Sequence, residues 1–225
     1  MPEIKTVRIQ ESLLAANDDR AAALRERWRK SRTLAVNLLS SPGSGKTSLL
    51  EHTLPCLAER ARVLVIEGDV ETDNDAERIR RVGVEARQIT TGGACHLDAR
   101  MVERAWDESA SAARYDYVFV ENVGNLVCPA SYDLGEHRRV VLLSVPEGED
   151  KPAKYPRAFR DADLLLVTKI DLLPYLDFRV EKARHYALDV QPDLEILATS
   201  TRTGQGLDDW VAWLERARSA EYGPG

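Results

Sequence analysis

The sequence predicts an α/β protein: a doubly wound, mostly parallel sheet flanked by helices, preceded by an N-terminal helical extension. Three observations carry that prediction. Apolar runs of strand length alternate with segments of helical periodicity from Leu34 onward. The runs are continuously apolar rather than alternating, as in strands covered on both faces. Small-residue loops and carboxylates follow directly after the runs, where open α/β sheets hold their ligands.

Residues 3–30 read as an amphipathic helix, with Leu13, Leu14, Ala21, Leu24 and Trp28 at helical spacing among many charges. This sets a helical extension at 1–32, a sheet domain at 33–219 and a disordered tail at 220–225. The first strand runs through Leu38, and after a small-residue loop a helix reaches about Arg60. Arg62 to Asp69 is a buried strand that opens into the acidic loop Val70-Glu71-Thr72-Asp73-Asn74-Asp75. A helix over Ala76–Val82 and a short strand over Gln88–Thr91 follow, the strand broken by Gly92-Gly93. A helix is predicted over Cys95–Ala112, with Leu97, Met101, Val102, Ala105 and Trp106 on its apolar side. Tyr115–Glu121, Arg139–Val145, Ala162–Val167 and Leu194–Ala198 are the remaining strands; Asp177–Leu188 and Leu207–Arg218 are the remaining helices.

With 225 residues, 44% of them hydrophobic, the chain can bury a full core, and one domain is the simplest count. A net charge of −6 argues against nucleic acid as a partner. No apolar run has the length of a membrane span, and the N-terminus lacks a signal peptide's apolar core. Three cysteines, Cys56, Cys95 and Cys128, are too few for a disulfide framework and suit a reducing compartment. A cytoplasmic location is expected.

The chemistry begins at Ser40-Ser41-Pro42-Gly43-Ser44-Gly45-Lys46-Thr47, between the first strand and Ser48-Leu49-Leu50. Strand, small-residue loop, Gly-Lys-Thr and helix together form the context of a phosphate-binding P-loop. Backbone N–H groups of Gly43, Ser44 and Gly45 can turn inward around phosphate oxygens, and the helix N-terminus through Ser48 adds positive dipole character. Lys46 would reach the β- and γ-phosphates and the Thr47 hydroxyl would ligate Mg²⁺. Ser40 stands where the general pattern has glycine, which is tolerable if the backbone there avoids positive φ.

Glu121, closing a buried strand before Asn122-Val123-Gly124, fits the acid expected near Mg²⁺, and Gly124 could offer an N–H that senses the γ-phosphate. Asp69 is a second candidate for Mg²⁺ or for positioning the attacking water, and Asp75 a third. Thr168-Lys169-Ile170-Asp171 follows another buried strand, where GTPases carry Asn-Lys-x-Asp. Asp171 would accept from guanine N1–H and N2–H₂, donors that adenine lacks, and Lys169 would stack along the base. Ser200 and Thr201, after the last strand, occupy the place of a second guanine-contacting loop. The nucleotide is therefore GTP or GDP. With no Gln or arginine finger evident, hydrolysis is expected to be slow.

Cys95-His96 and Cys128 offer ligand chemistry for Ni²⁺ or Zn²⁺, and the predicted helix start would lower the Cys95 thiol pKa. The residues alone leave open the plainer reading of core cysteines and a solvated histidine. Cys56 reads as structural, and His52, His137 and His185 as surface residues.

Taken together, these motifs resemble the hydrogenase nickel-incorporation GTPases, known as HypB, of the SIMIBI class. The matching stretches are the P-loop, Glu67-Gly68-Asp69-Val70-Glu71-Thr72 and Gly93-Ala94-Cys95-His96-Leu97-Asp98, with Glu121-Asn122-Val123-Gly124-Asn125-Leu126-Val127-Cys128-Pro129 and Glu147-Gly148-Glu149-Asp150-Lys151-Pro152. Ser40 is usual in that family. The resemblance implies a GTP-dependent homodimer, metal ligation by Cys95, His96 and Cys128 at its interface, and nickel delivery to the hydrogenase large subunit with a partner nickel metallochaperone. It also implies that Lys151 reaches toward nucleotide across the dimer. Residues 1–33 contain no Cys or His, so N-terminal nickel storage is not expected. Thr168 in place of Asn puts guanine affinity, not guanine choice, in question. The rivals are a urease accessory GTPase, whose metal motif is Cys-Pro-His, and a methylmalonyl-CoA mutase-associated GTPase, which lacks the paired Cys-His. A regulatory GTP-binding module with structural cysteines and an ATP-dependent small-molecule kinase, disfavoured by Asp171, complete the alternatives.

Overall fold

In a computed structural model, residues 3–69, 73–109 and 114–223 are described, with side chains from residue 12 onward. Among the described residues, seven strands form one parallel sheet: β1 (Leu34–Ser40), β2 (Val63–Asp69), β3 (Glu85–Thr90), β4 (Tyr117–Glu121), β5 (Arg138–Ser144), β6 (Leu164–Thr168) and β7 (Glu195–Ala198). Their spatial order is β3-β2-β4-β1-β5-β6-β7, with every pairing parallel. The chain winds outward from β1 through β2 to β3, returns to insert β4 beside β1, then builds the other half. This reversal opens a crevice beyond the carboxyl end of β1.

Helices cover both faces. On one side α2 (Lys46–Ala58), α3 (Asn74–Arg81) and α8 (Leu207–Tyr222) bury Leu49, Leu50, Leu54, Ile79, Trp210 and Leu214 against Val36, Leu38 and Phe119. On the other, α1 (Glu3–Ser31) and α4 (Ala99–Asp107) pack Leu24, Trp28, Val102 and Trp106 against Ala35, Leu64 and Val118. Alternate residues of the inner strands thus feed opposite cores, which is why those runs are almost continuously apolar, whereas the edge strands β3 and β7 are only partly buried. The short α5 (Lys151–Lys154) and α6 (Pro156–Arg160), with α7 (Val180–Val190), close the second face beneath β5 to β7.

Several expectations change. Leu13 is 63% exposed, so the buried stripe of α1 begins later, at Asn17, Ala21, Leu24 and Trp28. The C-terminal helix does not stop at Arg218 or give way to a tail at 220. It runs to Tyr222, whose hydroxyl donates to Thr33 O (2.8 Å), and residues 224–225 lie outside the described set. Cys95 is not at a helix start. The helix begins at Ala99 because Asp98 caps it, accepting from the Met101 amide at 2.8 Å, so the dipole argument for Cys95 does not apply. Residues 110–112 of that predicted helix, and 70–72 of the acidic loop, lie outside the described residues. Cys56 is exposed rather than structural, since the apolar face of α2 is formed by Leu49, Leu50, Thr53, Leu54 and Leu57.

Candidate nucleotide and metal sites

The P-loop wraps the end of β1. Gly43 (φ 75°) and Gly45 (φ 97°) adopt the left-handed backbone that only glycine enters cheaply, whereas Ser40 stays in the strand with negative φ. Ser40 has its own use: its hydroxyl donates to Ser41 O (2.7 Å) and accepts from Lys46 Nζ (2.9 Å). Beyond the loop lies a cavity of about 450 Å³ lined by Gly43, Gly45, Lys46, Thr47, Ser48, Glu67, Asp69, Asp75, Arg78, Glu121, Gly124 and Lys169. Gly124 is confined by its approach to Pro42, whose Cα would lie 2.9 Å from an added Cβ.

At the floor of this crevice, Thr47 Oγ1 donates to Glu121 Oε1 (2.9 Å), and Lys46 Nζ stands 3.8 Å from the same oxygen. Glu67 lies directly beside Glu121, because β2 pairs with β4 in the register Glu67↔Glu121. Burial, followed by the charge of Glu121, pushes the Glu67 carboxyl well above the ordinary range. Burial also raises Glu121, against the pull of Lys46 and Thr47. Glu67 Oε1 and Glu121 Oε2 are buried without a hydrogen-bond partner. Two adjoining carboxylates with orphaned oxygens, a threonine hydroxyl and Asp69 at the rim are a hard-cation donor set, and Mg²⁺ fits it. Asp75 is drawn elsewhere: its Oδ1 accepts from Arg78 (2.9 Å), which also donates to Ser48 Oγ (3.1 Å) and Glu51 Oε1 (3.0 Å).

The residues expected to recognise the base follow β6 and β7. Lys169, in a left-handed conformation (φ 60°), donates to Gly43 O (2.5 Å) and so lies over the P-loop. Thr168, the departure from the usual Asn, donates from Oγ1 to Ser44 O (2.7 Å), tying β6 to the phosphate loop. Asp171 Oδ1 accepts from Ser200 Oγ at 2.6 Å, which holds the carboxylate in place. Asp171, Ser200, Thr201 and Lys151 do not line the phosphate cavity. The first two are joined to each other beside it, whereas Lys151 packs its ammonium over the Tyr155 ring (5.3 Å to the centroid).

The thiols of Cys95 and Cys128, distant in sequence, come together. Cys95 is the main influence raising the Cys128 thiol pKa, ahead of burial. Cys95 Sγ lies 3.8 Å from His96 Nδ1, and the His96 ring stacks on Tyr132 with centroids 4.0 Å apart. Burial lowers the His96 pKa, favouring the neutral imidazole that binds metals. Among the described residues, no group of three His, Cys, Asp or Glu side chains is already arranged around one point. Next to this cluster, Leu97 packs on β2: a Cβ added to Gly68 would meet its side chain at 2.7 Å. The Leu97 amide also donates to Asn122 Oδ1 (3.4 Å), one residue beyond Glu121.

Residues 34–198 match the CobW/HypB/UreG nucleotide-binding domain. The hydrogenase maturation factor HypB of Azotobacter vinelandii is 51% identical over 223 residues, covering 97% of this chain and 72% of that protein. The chain belongs to the HypB family of P-loop GTPases. The crystal structure of Helicobacter pylori HypB in complex with nickel superposes with a TM-score of 0.87 at 42% identity, covering 92% of this chain and 97% of that one. The signal recognition particle 54 kDa protein of Aeropyrum pernix, solved with GDP, shares the fold at a TM-score of 0.56 and 16% identity, covering 84% and 50%.

Within this HypB-family chain, sequence reasoning missed three residues that shape the nucleotide site. Glu67 stands in a buried strand and in a family-like stretch, but nothing in the sequence gives it a role beside Asp69. Arg78 lines the crevice from α3, so an arginine is present after all, engaged by carboxylates. Glu147 Oε1 accepts from Ser44 Oγ (2.6 Å) and from the amide and hydroxyl of Ser144 (2.9 and 2.7 Å); hydrogen bonding from Ser41, then Ser44 and Ser144, holds its carboxyl below the usual range despite burial. Glu147 opens a family-like stretch, Glu147-Gly148-Glu149-Asp150-Lys151-Pro152, but its residue type alone carries no task.

Proposed function

We propose that this chain is a GTP-hydrolysing nickel metallochaperone that serves maturation of a [NiFe]-hydrogenase. It works in the cytoplasm as a GTP-dependent homodimer with a partner nickel metallochaperone and the hydrogenase large subunit. The observation that carries the reading is the meeting of Cys95 and Cys128, with His96 alongside, on a loop packed against the nucleotide crevice through Leu97. The names of its relatives, hydrogenase maturation factors, and of the nickel-bound neighbour support the cargo.

In this reading the P-loop amides and Lys46 hold the phosphates, while Lys169 and Asp171 hold guanine with Ser200 bracing the carboxylate. Thr201 adds its support from the same loop. Mg²⁺, held by Thr47, Glu121, Glu67 and Asp69, would neutralise charge on the β- and γ-phosphates. Asp69 orients the attacking water, and the Gly124 N–H reads the γ-phosphate. Arg78 is bound to Glu51 and Asp75, so turnover is slow. Each chain supplies two thiols and an imidazole, too few to enclose Ni²⁺ or Zn²⁺; a second copy, brought in by GTP, completes the coordination. Lys151 reaches the partner's nucleotide. Loss of the γ-phosphate relaxes β2's end and Gly124, Leu97 follows, and the metal is handed on.

Nickel and zinc titrations with GDP and with a non-hydrolysable GTP analogue test this, on wild type and Cys95→Ala. Nickel affinity or stoichiometry that changes with nucleotide and collapses in the variant is the expected result. Weak binding, indifferent to nucleotide and variant, would sink the nickel role and leave the GTPase.

A further inference from the structure

Asn17 lies on α1, outside every motif, yet its side chain is buried (8% exposed). Its Oδ1 accepts from the Ala99 amide at 2.9 Å, and its Nδ2 donates to Asp133 O at 2.8 Å. Ala99 opens α4 directly after the Cys95-His96 loop, and Asp133 lies downstream of Cys128 in the segment between β4 and β5. One carboxamide therefore bridges both metal-bearing loops. Hydrogen bonds brace each segment near the clamp. Ser131 N donates to Cys128 O (3.1 Å) and Tyr132 N to Pro129 O (3.2 Å) in one, while Asp98 caps α4 in the other. The His96–Tyr132 stack spans the same gap, with ring planes 16° apart.

From this we infer that Asn17 is a positioning residue for the metal site: it sets the spacing of Cys95-His96 relative to Cys128. The inference rests on the nickel reading above. An amide suits the task because it donates and accepts at once, satisfying one backbone N–H and one backbone C=O from different loops. Partners one step removed from the ligands shift metal affinity by about 10–100-fold when removed. Alanine at position 17 removes both bonds and favours the helix itself.

The test compares wild type, Asn17→Ala, Cys95→Ala and a packing control, Glu103→Ala. Glu103 pairs with Arg20 (2.8 Å) and Arg27 (3.2 Å), joining α1 to α4 without touching either metal loop. The readouts are nickel affinity, the thiolate-to-nickel charge-transfer band, GDP affinity and thermal stability. N17A is expected to weaken nickel binding about tenfold or more and alter the band, with GDP affinity kept, while E103A loses stability and keeps both nickel readouts. N17A with wild-type nickel affinity and band, or an equal loss in E103A, overturns the inference. If N17A does not fold, Asn17→Asp, which keeps the acceptor for Ala99 and loses the donor to Asp133, is judged by the same outcomes. Binding lost in C95A but intact in the Asn17 variant overturns the clamp alone; a wild type that takes up no nickel overturns the nickel reading and the clamp with it.

Discussion

Glu67 and Glu121 sit side by side on neighbouring strands, buried, with one oxygen each unpartnered. Two carboxylates so placed cannot both ionise cheaply, so burial and the neighbouring charge favour a shared proton. Burial and the Glu121 charge, which hold Glu67 high, make its ionisation costly to the fold as pH rises. A divalent cation reverses that balance. Binding of GDP with Mg²⁺ should therefore release a proton where Glu67 still carries one, read by calorimetry across pH in buffers of different ionisation enthalpy. Glu67→Gln, which imitates the protonated state, should keep stability within about 1 kcal/mol of wild type. It should also abolish the release and weaken Mg²⁺-dependent GDP binding. Proton release unchanged in E67Q would remove Glu67 from the cation site.

At the scale of elements, the contact of Leu97 with Gly68 joins the metal-bearing loop to β2, the strand that ends in Asp69. Leu97 is fully buried, so Leu97→Ala should cost about 2–4 kcal/mol. Gly68→Ala drives a methyl into the same space, within 2.9 Å of three Leu97 carbons, and should cost about 1–3 kcal/mol. The double variant fills its own cavity, so the two costs should fall short of additivity by about 1 kcal/mol or more in urea unfolding. Strict additivity would mean the two elements are not in contact. The strands themselves were readable from sequence, because runs buried on both faces leave a continuous apolar signature. The P-loop was readable too, since its glycines and Lys46 are contiguous. The pairing of Glu67 with Glu121 was not, for it depends on β4 inserting between β2 and β1. The approach of Cys95 to Cys128 and the bridge made by Asn17 depend on the same packing. The short helices Lys151–Lys154 and Pro156–Arg160 span too few residues to show a period, and proline stands in the first turn of each.

Across the whole molecule, the carboxyl ends of the strands hold the ligand chemistry, while the opposite end is tied by a histidine. His137 was expected at the surface. Instead its Nδ1 accepts from the Ala35 amide (3.1 Å), leaving Nε2–H toward Tyr222 Oη (3.3 Å), which donates in turn to Thr33 O. These contacts join β1, the segment before β5 and the end of α8, with Trp28 of α1 tilted against the ring (6.4 Å). Burial lowers the His137 pKa to about 4 from 6.5; Glu221 opposes the shift, while Arg29, Arg25 and Arg138 assist it. The folded state thus prefers neutral imidazole, and the unfolded chain binds the extra proton. The stabilisation is complete above about pH 6.5 and is lost as pH falls toward 4. Discounted for residual solvent screening, it amounts to about 2 kcal/mol. His137→Asn keeps an acceptor for the Ala35 amide but cannot titrate. Unfolding measured between pH 7 and 4.5 should show the variant less stable than wild type at pH 7, yet losing about 2 kcal/mol less on acidification. If both lose stability in parallel, His137 is not the group that fastens this end of the fold at neutral pH.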